Sequence, residues 1–327
     1  MKSEYEDEEV YLYEFLKVIS VKTKVNVWDN KFSVPALVKY EKEAYKKYLI
    51  ECGVYINDDD DDNDDQPIQS TSNSVTSSSI FKSRFEPLSH EDSKRVTHIL
   101  TSPDKGETLI EKFNTPVKKK WVKTLNDGEW LNDEVINFCM CMLQERDDEL
   151  CDPSNHMYNP SRVPSHYYSS FFMTRLIDNE NGEYNYANVK RWSKKFNVFH
   201  MDKIFCPINL GNVHWTLLVI YMCEKEIVYY DSMGGCGTKY VEGALKYLED
   251  ESAKLGINTF CSDEWELIST NIRVPQQQNG CDCGVFTIMY ADFITDNLPL
   301  DFSQEHVTLF RKKICANILK GRVGYPI

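Results

Sequence analysis

The spacing of apolar and polar residues divides the chain into a polar N-terminal part and a C-terminal part with regular elements. Residues 5–55 mix apolar and charged side chains at helical spacing, but residues 58–65 are almost pure aspartate and precede a tract rich in Ser, Thr, Gln and Asn. A like-charge block followed by a polar tract buries too little apolar surface to fold. We therefore predict an N-terminal segment with helical spacing over 1–57, a disordered linker over 58–90 and a compact domain over 91–327.

Within the compact domain, the patterns predict helices at both ends and strands in the middle. Two apolar, β-rich runs are separated by a short charged turn, Cys223-Glu224-Lys225, which is typical of a hairpin. Helical patterns begin at Asn132, about residue 239 and Cys283, and Ser303 is a candidate cap for a last helix. The predicted strands are 203–209, 214–222, 226–231 and about 265–273. This order favours an α+β fold over a doubly wound α/β fold.

Charge and cysteine content narrow the class of protein. The formal net charge is −14, which disfavours a nucleic-acid-binding surface, since such a surface needs a basic patch. No apolar run reaches the roughly 20 residues that span a bilayer, and the acidic N-terminus lacks signal-peptide order. We therefore expect a monomer in the nucleus or cytoplasm, with no membrane partner. There the 11 scattered cysteines are expected to be free thiols rather than a disulfide framework.

The predicted hairpin carries a candidate base and its orienting carboxylate. His214 begins one strand and Asp231 ends its partner, so the two are expected to face each other at the open end of the pair. A carboxylate there would fix the imidazole tautomer and stabilise its charged form. Taken alone the pair is weak evidence, because an Asp at a strand end is more often a turn residue.

A candidate nucleophile lies in the string QQQNGCDCG, residues 276–284. Asn279-Gly280 predicts a turn, and an apolar helical pattern follows, so Cys283 lies at or next to a helix N-terminus. That position lowers a thiol pKa and offers backbone N–H groups to an oxyanion. Gln277 could add a side-chain amide donor. A buried structural cysteine is the plainer interpretation of any one Cys, but here the turn, the glutamine and the helix start coincide.

These residues occur in an order that resembles a known family. The motifs HW, YYDSM and PQQQNGCDCGVF, together with EWLNDEVINF at 129–138 and the stretch 186–215, are similar to those of the SUMO-specific (ubiquitin-like protein) cysteine proteases, of the sentrin-specific type. The resemblance covers roughly residues 121–320 and does not reach residues 1–90. It implies a papain-like fold with a central mixed sheet flanked by helices, and a catalytic domain over 91–327.

The resemblance also assigns roles. Cys283 would be the nucleophile, His214 the general base and acid, Asp231 its orienter and Gln277 an oxyanion donor. Trp130 and Trp215 would close over a C-terminal Gly-Gly, because a larger side chain would clash between two indoles. Further substrate contacts would come from Val213 and Met233, which line the tunnel, and from Asp133, which pairs with an arginine of the ubiquitin-like partner.

The resemblance implies a deSUMOylating thiol protease or isopeptidase that needs no cofactor or metal and binds SUMO or SUMO-conjugated proteins. Two alternatives stay open: a protease for another modifier such as NEDD8, and an inactive relative that only binds SUMO. A zinc protein is disfavoured, since no CxxC pair has a matching second pair. Cys281, two residues before the nucleophile, departs from the family pattern, and we hypothesise that it protects oxidised Cys283 by a reversible bridge.

Overall fold

A computed structural model describes residues 77–177 and 182–324. The N-terminal segment predicted over 1–57 and most of the predicted linker lie outside the described residues. The helices are α1 Ser77–Phe85, α2 His90–Thr101, α3 Lys119–Val122, α4 Asp133–Cys151, α5 Phe171–Leu176, α6 Thr238–Leu255, α7 Cys283–Thr295 and α8 Val307–Lys320. The strands are β1 Thr108–Lys112, β2 Thr115–Lys118, β3 His166–Tyr167, β4 Lys203–Leu210, β5 His214–Tyr221, β6 Glu226–Tyr230 and β7 Glu266–Ile268.

A mixed five-stranded sheet, ordered β3-β4-β5-β6-β7, forms the centre of the fold. Its three middle strands pair antiparallel, and the two edge strands pair parallel to their neighbours. Alternate residues of β5 enter two different cores: Leu217 and Val219 pack with α4, α7 and α8, whereas Leu218 and Ile220 pack with α5 and α6. Burial on both faces explains the continuous apolar runs in the sequence, and the predicted α+β architecture is confirmed.

Most predicted elements agree with the structure to within two residues. The helix predicted from Asn132 begins at Asp133, and the Asn132 side chain accepts a hydrogen bond of 2.9 Å from the Val135 amide, which caps the helix. The predicted hairpin turn is confirmed between Tyr221 and Glu226. Ser303 caps a 3₁₀ turn, Gln304–His306, that leads into α8.

One predicted strand is too long. The pattern predicts a strand over about 265–273, whereas β7 ends at Ile268. Beyond that point the chain leaves the edge of the sheet, because the Ser269 carbonyl accepts a hydrogen bond of 2.8 Å from the Gly237 amide at the start of α6. The segment 269–277 therefore runs beside the loop that follows β6, rather than beside β6 itself.

The linker prediction needs correction at its C-terminal end. Helix α1 lies within the predicted linker 58–90, and Ile80, Phe81 and Phe85 pack against the core. Arg84 also pairs with Asp292 of α7 and with Asp296, which follows the end of that helix, at 2.9 and 2.5 Å. These contacts, together with Leu88, hold this stretch on the domain, so the folded part begins before residue 91.

The carboxylates of Asp292 and Asp296 also pair with an arginine of α4. The Arg146 guanidinium, 1% exposed, lies 2.8 Å from Asp292 and 3.1 Å from Asp296. Removing one partner of such a buried pair typically costs about 3–5 kcal/mol, because it leaves an unpaired charge in the interior. This cluster therefore anchors the C-terminal end of α7, at the opposite end of the helix from Cys283.

Candidate active site

His214 and Asp231 meet where the hairpin of β5 and β6 opens. The ladder pairs Leu217 with Tyr230, so its continuation places Asp231 opposite Thr216, two residues away from His214. The predicted contact is therefore diagonal rather than directly across the pair, on one face of the sheet. His214 Nε2 and Asp231 Oδ1 are 2.7 Å apart.

Asp231 is held rigidly. It is 5% exposed, and its Oδ1 also accepts a hydrogen bond of 2.8 Å from the Met233 amide. A Cβ added to Gly235 would lie 2.4 Å from Asp231 Oδ2, so only glycine lets the following loop pass this close. The carboxylate therefore has one position, aimed at the imidazole.

The surroundings of His214 favour its charged form. Burial opposes the charge, but hydrogen bonds and charge interactions with Asp231 and Cys283 outweigh it and raise the pKa of His214 to about 9. Because Nε2 is bonded to Asp231, Nδ1 is the ring nitrogen that faces the thiol. At neutral pH the imidazolium can stabilise a thiolate and later donate a proton.

Cys283 occupies the predicted place at a helix start. It is the first residue of α7, 3% exposed, and its thiol hydrogen-bonds His214. The preceding turn ends at Asp282, whose side chain points away from the helix to other partners. The first amides of α7 are therefore free of a side-chain cap and can face an anion at Cys283.

Gln277 is fixed to the segment that follows Asp231. Its backbone amide donates to the Ser232 carbonyl at 2.9 Å, and its Oε1 accepts from the Ser232 hydroxyl at 2.6 Å. Its side-chain Nε2 donates to the Asn279 carbonyl, and the second Nε2 hydrogen is left for another acceptor. The side-chain oxygen of Gln277 is thus already hydrogen-bonded, and its Nε2 is directed toward the turn before Cys283.

A cavity of about 450 Å³ leads to the thiol. Both tryptophans, Val213, Asp133 and Cys283 line it. Trp215 is 5% exposed and its Nε1 donates to the Leu131 carbonyl at 2.8 Å, whereas Trp130 is 49% exposed. The Trp215 indole is therefore fixed and the Trp130 indole is half-exposed, and both line the same cavity.

The structure places Met233 differently from the prediction. Met233 is 61% exposed and is not among the residues lining this cavity. It lies beside Asp231, because its backbone amide donates a hydrogen bond to that carboxylate. Phe171, 50% exposed, does line the cavity and was missed by sequence reasoning. The sequence shows only two adjacent phenylalanines at this point, and it does not distinguish the buried Phe172 from its exposed neighbour.

The described ranges hold further cysteines besides Cys283. Each cysteine in the described ranges is a free thiol, and those ranges contain no group of three or more acidic, Cys or His side chains able to hold a metal. Burial and nearby Asp282 raise the pKa of Cys281, so that thiol is not activated. No helix within the described ranges is long and apolar enough to cross a membrane.

Comparisons with known proteins identify the family of the chain. Residues 129–323 match the model of the Ulp1 protease family, C-terminal catalytic domain. Human sentrin-specific protease 2 is 37% identical over 233 residues, 71% of this chain and 37% of the relative. Ubiquitin-like-specific protease 1A of Arabidopsis thaliana is 35% identical over 243 residues, 72% of this chain and 46% of the relative. The chain thus spans less than half the length of these curated relatives.

Solved structures share the fold. The C-terminal Ulp1 protease domain in complex with Smt3, the yeast ortholog of SUMO, superposes with a TM-score of 0.60 at 29% identity, covering 72% of this chain and 97% of that one. The Ulp1-like SUMO protease catalytic domain of Chaetomium thermophilum gives a TM-score of 0.59 at 26% identity, covering 74% and 93%. The chain therefore belongs to the Ulp1 protease family.

Proposed function

We propose that this protein is a cysteine protease that hydrolyses the bond after the C-terminal Gly-Gly of SUMO, in its precursor or on a target lysine. The observation that carries the proposal is the thiol–imidazole–carboxylate set of Cys283, His214 and Asp231 at the end of a cavity walled by two tryptophans. The relatives named above are sentrin-specific and ubiquitin-like-specific proteases, and one solved relative is bound to Smt3.

The mechanism follows from the positions of these groups. The Gly-Gly tail enters between Trp130 and Trp215, where the absence of side chains lets it pass. The Cys283 thiolate attacks the terminal glycine carbonyl, and the Cys283 amide with the Gln277 side chain stabilises the oxyanion. His214 protonates the leaving amine, and the thioester is then hydrolysed by a water that His214 deprotonates.

Asp133 and Val213 fit the substrate side of this mechanism. Both line the cavity, and Val213 is 59% exposed. Asp133, in the first turn of α4, can accept an arginine of the ubiquitin-like partner while it also favours the helix N-terminus.

The test compares the full chain on C-terminal fluorogenic derivatives of SUMO, NEDD8 and ubiquitin. We expect the highest kcat/KM with SUMO. A preference for NEDD8 would refute the substrate assignment while leaving the protease intact. Binding of SUMO without hydrolysis of any of the three would instead identify an inactive relative.

Substituting Gly235 tests the packing around Asp231. In Gly235→Ala the new methyl group would displace the Asp231 carboxylate from His214, so kcat/KM should fall roughly 10- to 100-fold. Gly324→Ala is the matched control, because its added Cβ meets no atom within 4 Å. Equal SUMO hydrolysis by the two variants would show that Asp231 does not depend on this close approach.

A further inference from the structure

We propose that Arg311, on helix α8, is a positioning residue that holds the nucleophile and the Trp130 wall at a fixed separation. Its guanidinium is 1% exposed and lies behind the site. It touches neither the cavity nor the reacting groups. Its partners instead belong to the two segments that carry Cys283 and Trp130.

The first partner is the residue before the nucleophile. Arg311 Nε and one terminal nitrogen lie 3.0 and 2.5 Å from Asp282 Oδ1, and Asp282 is 3% exposed. Asp282 Oδ2 accepts two more hydrogen bonds, from Asn279 at 2.6 Å and from Gln304 at 2.7 Å. Burial opposes the carboxylate charge, but these bonds and Arg311 together lower the pKa of Asp282. These hydrogen bonds thus fix the turn that leads into α7.

The second set of partners is the segment that leads to Trp130. Arg311 Nη1 donates to the carbonyls of Thr124 and Asn126, at 3.1 and 3.0 Å, and Nη2, which also binds Asp282, donates to the Glu129 carbonyl at 2.8 Å. Glu129 is the residue immediately before Trp130. One cation therefore links the Asp282 carboxylate, just before the nucleophile, to the backbone just before Trp130, and the separation of thiol and indole depends on it.

A second contact supports the same link. A Cβ added to Gly284, the residue after the nucleophile, would lie 2.9 Å from Leu131 Cβ, so α7 and the Trp130 segment already touch there. The Leu131 carbonyl in turn holds the Trp215 indole. Arg311 therefore stabilises, from the side away from the cavity, the contact between α7 and the Trp130 segment.

The chemistry calls for arginine at this position. A guanidinium presents five N–H donors in a rigid plane, and here they reach a carboxylate and three carbonyls of separate segments at once. A lysine keeps the charge but offers three donors at one point, so it can bind Asp282 or the carbonyls, not both. Loss of the bridge should misplace the thiol relative to the tail by a fraction of an ångström to an ångström, which costs about 100-fold in rate.

This inference rests on the proposed function for its substrate, so its test has two readouts. The variants are Arg311→Lys and Arg146→Lys, each in the full chain; Arg146 is equally buried but binds only the carboxylates of Asp292 and Asp296. SUMO hydrolysis is measured per titrated active site at a temperature where both are folded by circular dichroism. Alkylation of Cys283 by iodoacetamide, followed by peptide mass spectrometry, needs no SUMO.

We expect Arg311→Lys to lower kcat/KM about 100-fold and to slow alkylation, while Arg146→Lys loses thermal stability but stays within about twofold of wild type in both rates. In a Trp130→Ala background the effect of Arg311→Lys on hydrolysis should shrink at least tenfold, because the wall it positions is gone. Equal rates for the two arginine variants, or an undiminished effect without Trp130, would overturn the proposal.

Two further outcomes are distinguishable. If Arg311→Lys does not fold, the isosteric Asp282→Asn removes one end of the same link, and a wild-type kcat/KM per active site in that variant would refute the inference. If wild type hydrolyses no SUMO derivative, the proposed function fails, and the alkylation rates alone decide whether Arg311 positions the thiol.

Discussion

Replacing Cys283 with alanine is expected to abolish SUMO hydrolysis, a loss on the order of 10⁶-fold in kcat, while leaving SUMO binding within a few-fold of wild type. In the proposed mechanism the thiol attacks the glycine carbonyl, and alanine offers no nucleophile in its place. Binding should survive because Trp130, Trp215 and Val213 form the walls and none of them depends on the sulfur.

The measurement pairs turnover of the fluorogenic SUMO derivative with a binding titration of mature SUMO. Cys236→Ala is the matched control, because that thiol is exposed and its hydrogen bonds to Thr238 and Ser269 lower its pKa to about 7. A lowered thiol pKa at Cys236 is not expected to contribute to SUMO hydrolysis, so this variant should keep wild-type turnover. Loss of activity in Cys236→Ala with retention in Cys283→Ala would reverse the assignment.

Replacing Asp231 with asparagine is expected to lower kcat by roughly 10⁴-fold, less than loss of the nucleophile. The amide can present its N–H to His214 and stabilise the wrong tautomer, and it removes the negative charge that favours the imidazolium. Asp301→Asn, at an exposed position, is the control and should be silent.

The same substitution should move the pH profile. Since the pKa of His214 is raised to about 9, above the ordinary 6.5, the imidazolium is present at neutral pH and is lost as pH rises through about 9. The alkaline limb of kcat/KM should therefore lie near pH 9 in wild type and shift to lower pH in Asp231→Asn. An unchanged alkaline limb would mean that the carboxylate does not control this proton.

The central sheet and the positions of His214, Asp231 and Cys283 on its elements could be predicted because the sequence patterns that indicate them are local. Apolar runs such as 214–222 are long enough to be strands, and the charged turn between them marks a hairpin, which fixes the neighbourhood of His214 and Asp231. The turn at Asn279-Gly280 followed by an apolar helix likewise places Cys283 at a helix start. The diagonal contact of His214 and Asp231 was not predictable, because it depends on the register of two strands.

Other features depend on contacts between distant segments. The β1–β2 hairpin turns at Phe113 and Asn114, both with φ of 55°, where the usual Asn-Gly signal is missing. Helix α1 follows a polar tract, and it is held by apolar packing and by Arg84, which pairs with carboxylates some 200 residues away. The contacts of Arg311 and the exposure of Phe171 are equally hard to predict, since an arginine on an amphipathic helix and one of two adjacent phenylalanines carry no local sequence signal.

The central claim is that Cys283 attacks the carbonyl at the end of a Gly-Gly tail delivered by SUMO. Its most direct test is reaction of the full chain with SUMO carrying a C-terminal vinyl sulfone, followed by peptide mapping of the adduct. We predict a single thioether at Cys283, formed by wild type and by Cys236→Ala but not by Cys283→Ala. An adduct on another cysteine, or SUMO binding with no adduct at all, would contradict it.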